Sequence, residues 1–309
     1  IDLIQNKNNN NTSKTTIKLE WIFGIRKDIW PNVFVLDLET IVYPASHYIV
    51  IYNHTKRLPL NQQQTFIPGS QFSRGFTNIA VWNINKKYII AAEDHPDGYI
   101  INAYIVSSNF GIHNYPTKIV PFVVQDVKLK INKVYHMAFS LREKGNYYFA
   151  ATVLLEKPFL IIWKWDVVDE NKEKESHIYP ITNPNDKDEN SMNYYMAHSS
   201  SAYYNKYYHI SFSIFKNENF CLVSNHFIQQ YLITDKKPEI LFSYSDLMHT
   251  EITNYCWLVE GNFCITTKHG IMIFSLMQRE LVQQYDNINE NSPRQIINQI
   301  HSNETFFVA

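Results

Sequence analysis

Glycine is scarce, with 8 in 309 residues, and cysteine scarcer, with 3. Cys221, Cys256 and Cys264 each lie inside an apolar run, and they form neither a Cys-x-x-Cys pair nor a Cys/His ligand spacing. That excludes a disulfide framework and a zinc knuckle and predicts reduced core thiols. No apolar run approaches the roughly 20 residues of a membrane helix. The N-terminus is an Asn-rich polar run rather than a signal peptide, so the expected compartment is cytosolic. The sequon-like triplets at Asn11, Asn53 and Asn303 would matter only in a secreted protein. Charge of one sign is also missing. Lys and Arg number 28 against 29 for Asp and Glu, so no overall field draws the chain to nucleic acid, an anionic membrane or acidic tubulin.

Catalytic signatures are absent as well. The sequence holds no Gly-x-x-x-x-Gly-Lys-Ser/Thr loop, no Gly-x-Ser-x-Gly elbow and no His-Glu-x-x-His pair. None of its 12 histidines forms a ligand spacing with Cys or Asp on one element. The expectation is therefore no metal, no cofactor and no enzymatic activity.

What is present favours strands: 21 Tyr, 19 Phe and 45% hydrophobic residues. In "DLETIVYPASHYIVIYN" (37 to 53), apolar runs flank a Pro-Ala-Ser-His turn, and both arms are apolar at nearly every position. Strands with one wet face alternate, so this hairpin must be covered on both faces. The pattern returns from Tyr88, Tyr147, Asn219 and Asn262. A short strand with a small residue precedes each copy: "NIAVW" (Ala80), "HMAFS" (Ala138), "HISFS" (Ser211) and "YCWLV" (Cys256). A fourth strand follows most copies, at 65 to 69, 119 to 123, 240 to 244 and 281 to 285.

Four-stranded units of this kind predict an all-β chain, a WD40-type β-propeller with about five blades and the start of a sixth. In such a ring the small residues of the innermost strands fit near the axis. A β-sandwich is the rival, disfavoured by the repeat and by the lack of polar outward positions. Helix-prone stretches near 166 to 174 and 287 to 299 lack a sustained apolar period. Residues 1 to 15 read as a flexible tail and 16 to 309 as the propeller. "QIINQIHSNETFFVA" would begin a further blade, leaving the ring incomplete in this sequence. The run from Asp166 to Glu189, with eight acids and three lysines, reads as a solvated excursion, with an acidic docking loop as the alternative.

Residues 20 to 53, "EWIFGIRKDIWPNVFVLDLETIVYPASHYIVIYN", resemble the opening of the cilia- and flagella-associated protein 57 family of WD-repeat proteins. Phe23, Gly24, Arg26, the Tyr43-Pro44-Ala45 turn and Ile49 to Asn53 carry the likeness. It continues through residues 63 to 94, and through "IIWKWD" (161 to 166) and residues 254 to 276. Ser46 departs from the family's Gly, and Trp165-Asp166 is the only Trp-Asp pair. The resemblance implies a scaffold of motile cilia that helps attach inner dynein arms and regulatory complexes to doublet microtubules. A general cytosolic WD40 adaptor is the alternative, and a propeller hydrolase the remote one.

If the units are blades, their hairpin turns share one face. Those turns hold His47, Asp94, His95, Glu156, Lys157, His226, Lys268 and His269, with Arg74 from a neighbouring connection. They form a candidate rim for docking a partner, although exposed turns are polar in any case. For the hydrolase, His209 and Ser211 lie two apart on one strand and point the same way, with His136 nearby and no orienting acid evident.

Overall fold

The computed structural model describes residues 21–26, 32–55, 59, 63–83, 87–106, 117–118, 130–140, 147–165, 176–181, 208–224, 227–234, 237–244, 252–258, 261–267, 270–286, 301–302 and 307–308. Among these there is no α-helix. Sheet 1 contains β1 (Phe34–Asp37), β2 (Thr40–Ala45), β3 (Tyr48–Asn53) and β4 (Gln64–Pro68). Sheet 2 contains β5 (Gly75–Asn83), β6 (Lys87–Asp94), β7 (Ile100–Val106) and β8 (Thr117–Lys118). Sheet 3 contains β9 (Lys133–Phe139), β10 (Tyr147–Leu154), β11 (Pro158–Trp165) and β12 (Ser176–Pro180). Sheet 4 contains β13 (Tyr208–Phe212), β14 (Asn219–Ser224), β15 (Ile228–Ile233) and β16 (Pro238–Tyr244). Sheet 5 contains β17 (Ile252–Trp257), β18 (Asn262–Thr267), β19 (Gly270–Ser275) and β20 (Glu280–Asp286).

Every sheet is an antiparallel meander whose strands pair in chain order. Two further short strands, β21 (His301–Ser302) and β22 (Phe307–Val308), pair with each other. The expected strand at 119 to 123, the tail at 1 to 15, the helix-prone stretches and most of the acidic run lie outside the described residues.

Two-sided burial explains the continuous apolar runs. In sheet 1, Val42, Ile49 and Ile51 pack against Phe76, Ile79 and Ile89 of sheet 2. Their neighbours Tyr43, Ala45 and Val50 point the other way, into a cluster with Ile22 and Phe66. The pattern repeats down the chain. Tyr88, Ile90 and Trp82 of sheet 2 meet Met137, Phe149 and Trp163 of sheet 3. Ala150, Leu160 and Ile162 of sheet 3 meet Ile210, Phe220 and Leu222 of sheet 4. Val223 and Ile228 of sheet 4 meet Phe263 and Phe274 of sheet 5. Each fully buried side chain of this size contributes roughly 2 to 3 kcal/mol, so these shared cores are the main force joining sheet to sheet.

First strands lie side by side: β1 beside β5, β5 beside β9 and β9 beside β13. Side chains bond across these junctions. Asn78 Nδ2 donates to Tyr135 O at 2.9 Å, Thr152 Oγ1 to Tyr208 O at 2.5 Å, and Trp257 Nε1 to Ser211 Oγ at 2.9 Å. At the other end of sheets 1 and 2, Lys87 pairs with Asp37 and the Asn83 amide donates to Leu36 O.

The first strands show where their small residues pack. Ala80 packs with Trp82 and Met137 between sheets 2 and 3, because strand alternation places it on the Trp82 face. Ala138 likewise packs into the junction of sheets 3 and 4. The small residues permit close approach of neighbouring sheets. The fifth first strand also begins earlier than "YCWLV", at Ile252, where a register shift between Ile252 and Asn254 accommodates the extra residue.

Candidate protein-docking face

In a meander, the turn between the second and third strands and the link from the fourth strand to the next sheet emerge at the same end. Backbone hydrogen bonds fasten these segments together. Gly69 N–H donates to His47 O at 2.9 Å, Arg74 N–H to Asp94 O at 2.7 Å, Tyr99 N–H to Ile131 O at 2.9 Å and Asn132 N–H to Leu154 O at 2.8 Å. The face is thus a set of loops held on rigid strands, an arrangement that suits recognition.

Four of the sequence-selected residues converge where sheets 1 and 2 meet. His47 is exposed on the β2–β3 turn, next to Ser46 with φ of 54°. The Arg74 guanidinium lies 3.8 Å from the Asp94 carboxylate. His95 Nε2 lies 3.2 Å from Gln71 O, close enough to donate to it. Lys157 stands on the turn of sheet 3, its ammonium 5.8 Å from the centre of the Phe159 ring, with Glu156 exposed beside it. His226, Lys268 and His269 lie outside the described residues.

The structure adds residues that sequence reasoning passed over. Glu93 is fully buried at the end of β6. One of its oxygens accepts from Ser70 N–H at 2.8 Å and Ser70 Oγ at 2.5 Å; the other accepts from Asn102 Nδ2 at 2.8 Å and Tyr104 Oη at 3.4 Å. Burial and the Glu93 carboxylate together push the Tyr104 phenol far above its ordinary range. A carboxylate directly after the apolar run "YIIAA" was a visible signal that it needed partners.

Those bonds fix the link between sheets 1 and 2. Ser73 N–H donates to Ser70 O at 3.0 Å and closes a four-residue turn whose third residue, Phe72, has φ of 73°. A positive φ at that position normally selects glycine, and a bulky side chain there costs about 1 to 2 kcal/mol. Phe72 is nevertheless 72% exposed. Three residues on, Gly75 has φ of 117°, and a Cβ there would sit 3.0 Å from Arg26 Nη1 and 3.3 Å from His47 Nδ1. Arg26 Nη1 donates to Phe76 O at 2.7 Å, so residue 26 also belongs to this junction.

His209 and Ser211 serve sheet contacts. Ser211 Oγ accepts the Trp257 indole N–H, and the His209 ring lies 4.8 Å from His136 and 5.7 Å from Tyr255. Burial lowers the His209 pKa to about 4 and holds His136 well below its ordinary value, with His209 adding to the effect. Among the described residues, no group of three or more His, Cys, Asp or Glu side chains could hold a metal ion.

No family model matches the chain. Over 145 residues, 47% of this chain, it is 27% identical to cilia- and flagella-associated protein 57 of Mus musculus, a stretch that makes up 10% of the mouse protein. The likeness is distant: it relates the chain to a cilia-associated protein without making it a member of that family. Among solved structures, the extracellular domain of a hybrid two-component system of B. thetaiotaomicron overlaps 92% of this chain and 31% of its own, at 12% identity and a TM-score of 0.49. A second structure from that organism, titled a one-component system, overlaps 88% and 30%, at 14% identity and the same TM-score of 0.49.

Proposed function

We propose that the five meanders are blades of a WD40-type β-propeller, and that the chain is a non-enzymatic scaffold of the ciliary axoneme. The propeller reading is supported by the serial packing: each sheet shares a core with the next, and first strands lie against first strands. The single observation that carries the ciliary reading is the 27% identity with cilia- and flagella-associated protein 57. In this role the fastened loops at the sheet 1 and sheet 2 junction dock axonemal proteins, components of inner dynein arms and their regulatory complexes, and tie them to doublet microtubules.

Scaffolding asks for rigid loops and recognition groups rather than reacting ones, and this junction supplies them. The buried histidines are held neutral at the packing interface, which does not favour a propeller hydrolase. Imaging the tagged protein in ciliated cells tests the proposal. A signal along the axoneme is expected, whereas a uniform cytosolic signal would favour a general adaptor and reject the ciliary role.

A further inference from the structure

We propose that Phe72 is the aromatic anchor of the docking face and that its partner is a protein segment pairing apolar side chains with carboxylates that meet Arg74. The inference rests on the reading of this face as a docking surface and adds the residue that carries it and the chemistry it selects.

Three observations lead there. Phe72 is 72% exposed, so burial in its own chain does not explain a large aromatic at this position. Its φ of 73° is one a glycine would take without strain. The turn is also held from both sides: Glu93 grips Ser70, Gln71 O meets His95 Nε2, Gly75 N–H donates to Ser73 Oγ, and Arg74 N–H donates to Asp94 O. The fold thus spends backbone strain and a buried carboxylate to hold the backbone beneath this exposed aromatic in one conformation. Strain that the surroundings impose in this way gathers at binding sites, and a turn whose backbone is fixed before contact loses less freedom on binding.

Charge decides the partner's chemistry. The Arg74 side chain is 67% exposed, and its 3.8 Å approach to Asp94 is longer than a hydrogen bond, which leaves donors of the guanidinium fork facing outward. Arg26 and Lys130 add cations nearby, against Asp94 and Asp97. Both oxygens of Glu93 are turned inward onto Ser70, Asn102 and Tyr104. An aromatic beside a bidentate cation selects a segment that is apolar at its centre and acidic at its edge.

The test is a selection of random twelve-residue displayed peptides on the purified chain, followed by titration of the enriched peptides against Phe72→Gly and Arg74→Glu. Enrichment of acidic, apolar peptides is expected, with binding at least tenfold weaker to either variant. Binding to Arg74→Glu should return when the peptide carboxylates are changed to lysine. Phe72→Gly should melt at the same or a higher temperature than the parent, which separates lost binding from lost folding. Enriched peptides that bind Phe72→Gly as well as the parent, or no acidic and apolar enrichment at all, would overturn the inference. Co-sedimentation with demembranated axonemes that keep their inner arms and regulatory complexes is read in parallel. Axoneme binding unchanged in Phe72→Gly sinks the anchor and spares the ciliary role, whereas Phe72-dependent peptides with no axoneme binding keep the anchor and sink that role.

Discussion

The imidazoles of His136 and His209, on the first strands of neighbouring sheets, lie 4.8 Å apart, and His136 Nδ1 accepts the Ile210 N–H at 3.2 Å. His136 is buried and His209 half-buried, and desolvation puts both pKa values below the usual range, to about 4 for His209. Acid therefore acts on the junction of sheets 3 and 4. A lowered folded-state value means the unfolded chain takes up protons first as pH falls. Stability is then intact above the unfolded value near 6.5 and declines down to the folded values, at about 1.4 kcal/mol per pH unit for each histidine. Urea unfolding from pH 7.5 to pH 4.5 should show this fall, and His209→Gln should flatten it. An unchanged slope in that variant would mean that other groups set the acid response.

Glu93 gives a second prediction. Glu93→Ala leaves Ser70 N–H, the Ser70 hydroxyl and Asn102 without their acceptor, and should reduce stability by about 3 kcal/mol. Glu93→Gln keeps one acceptor oxygen and should lose less. Chemical denaturation of both variants checks the order; equal and small losses would show that the carboxylate does not hold the turn.

At Gly75 the backbone φ of 117° and the 3.0 Å approach of Arg26 Nη1 act together. Gly24 has φ of 96° but open space around its Cβ position. Gly75→Ala should therefore destabilise by about 1 to 2 kcal/mol or more, and by more than Gly24→Ala. Thermal melts of the two variants compare them directly, and the reverse order would contradict the crowding described here.

Ser211→Ala removes the acceptor of the Trp257 indole N–H and should lower stability by about 1 kcal/mol. A larger loss confined to a hydrolytic assay, with the melt unchanged, would instead mark Ser211 as a nucleophile.

The hairpins were legible because burial on both faces writes itself into the sequence as continuous apolar runs, Ile41 to Tyr43 and Tyr48 to Tyr52 being the plainest. The positions of His47, Arg74, Asp94 and His95 in or beside turns were legible, because turn positions follow from the runs. Phe72 was not. Its backbone conformation lies in a turn tied down through Ser70 by Glu93, 23 positions beyond Ser70, and those bonds exist only once the link packs against sheet 2. His136 and His209 were each visible, but their apposition belongs to the packing of sheet 3 on sheet 4, 73 residues apart in sequence. The small residues of the first strands were visible in the sequence, but the neighbour that Ala80 meets follows from alternation along β5, which turns it toward sheet 3.

The most direct test of the account is fractionation of cilia that carry the tagged protein. After detergent removes membrane and soluble matrix, the account predicts that the protein stays with the axoneme and is released, together with inner-arm or regulatory components, only by high salt. Complete recovery in the detergent-soluble fraction would contradict it.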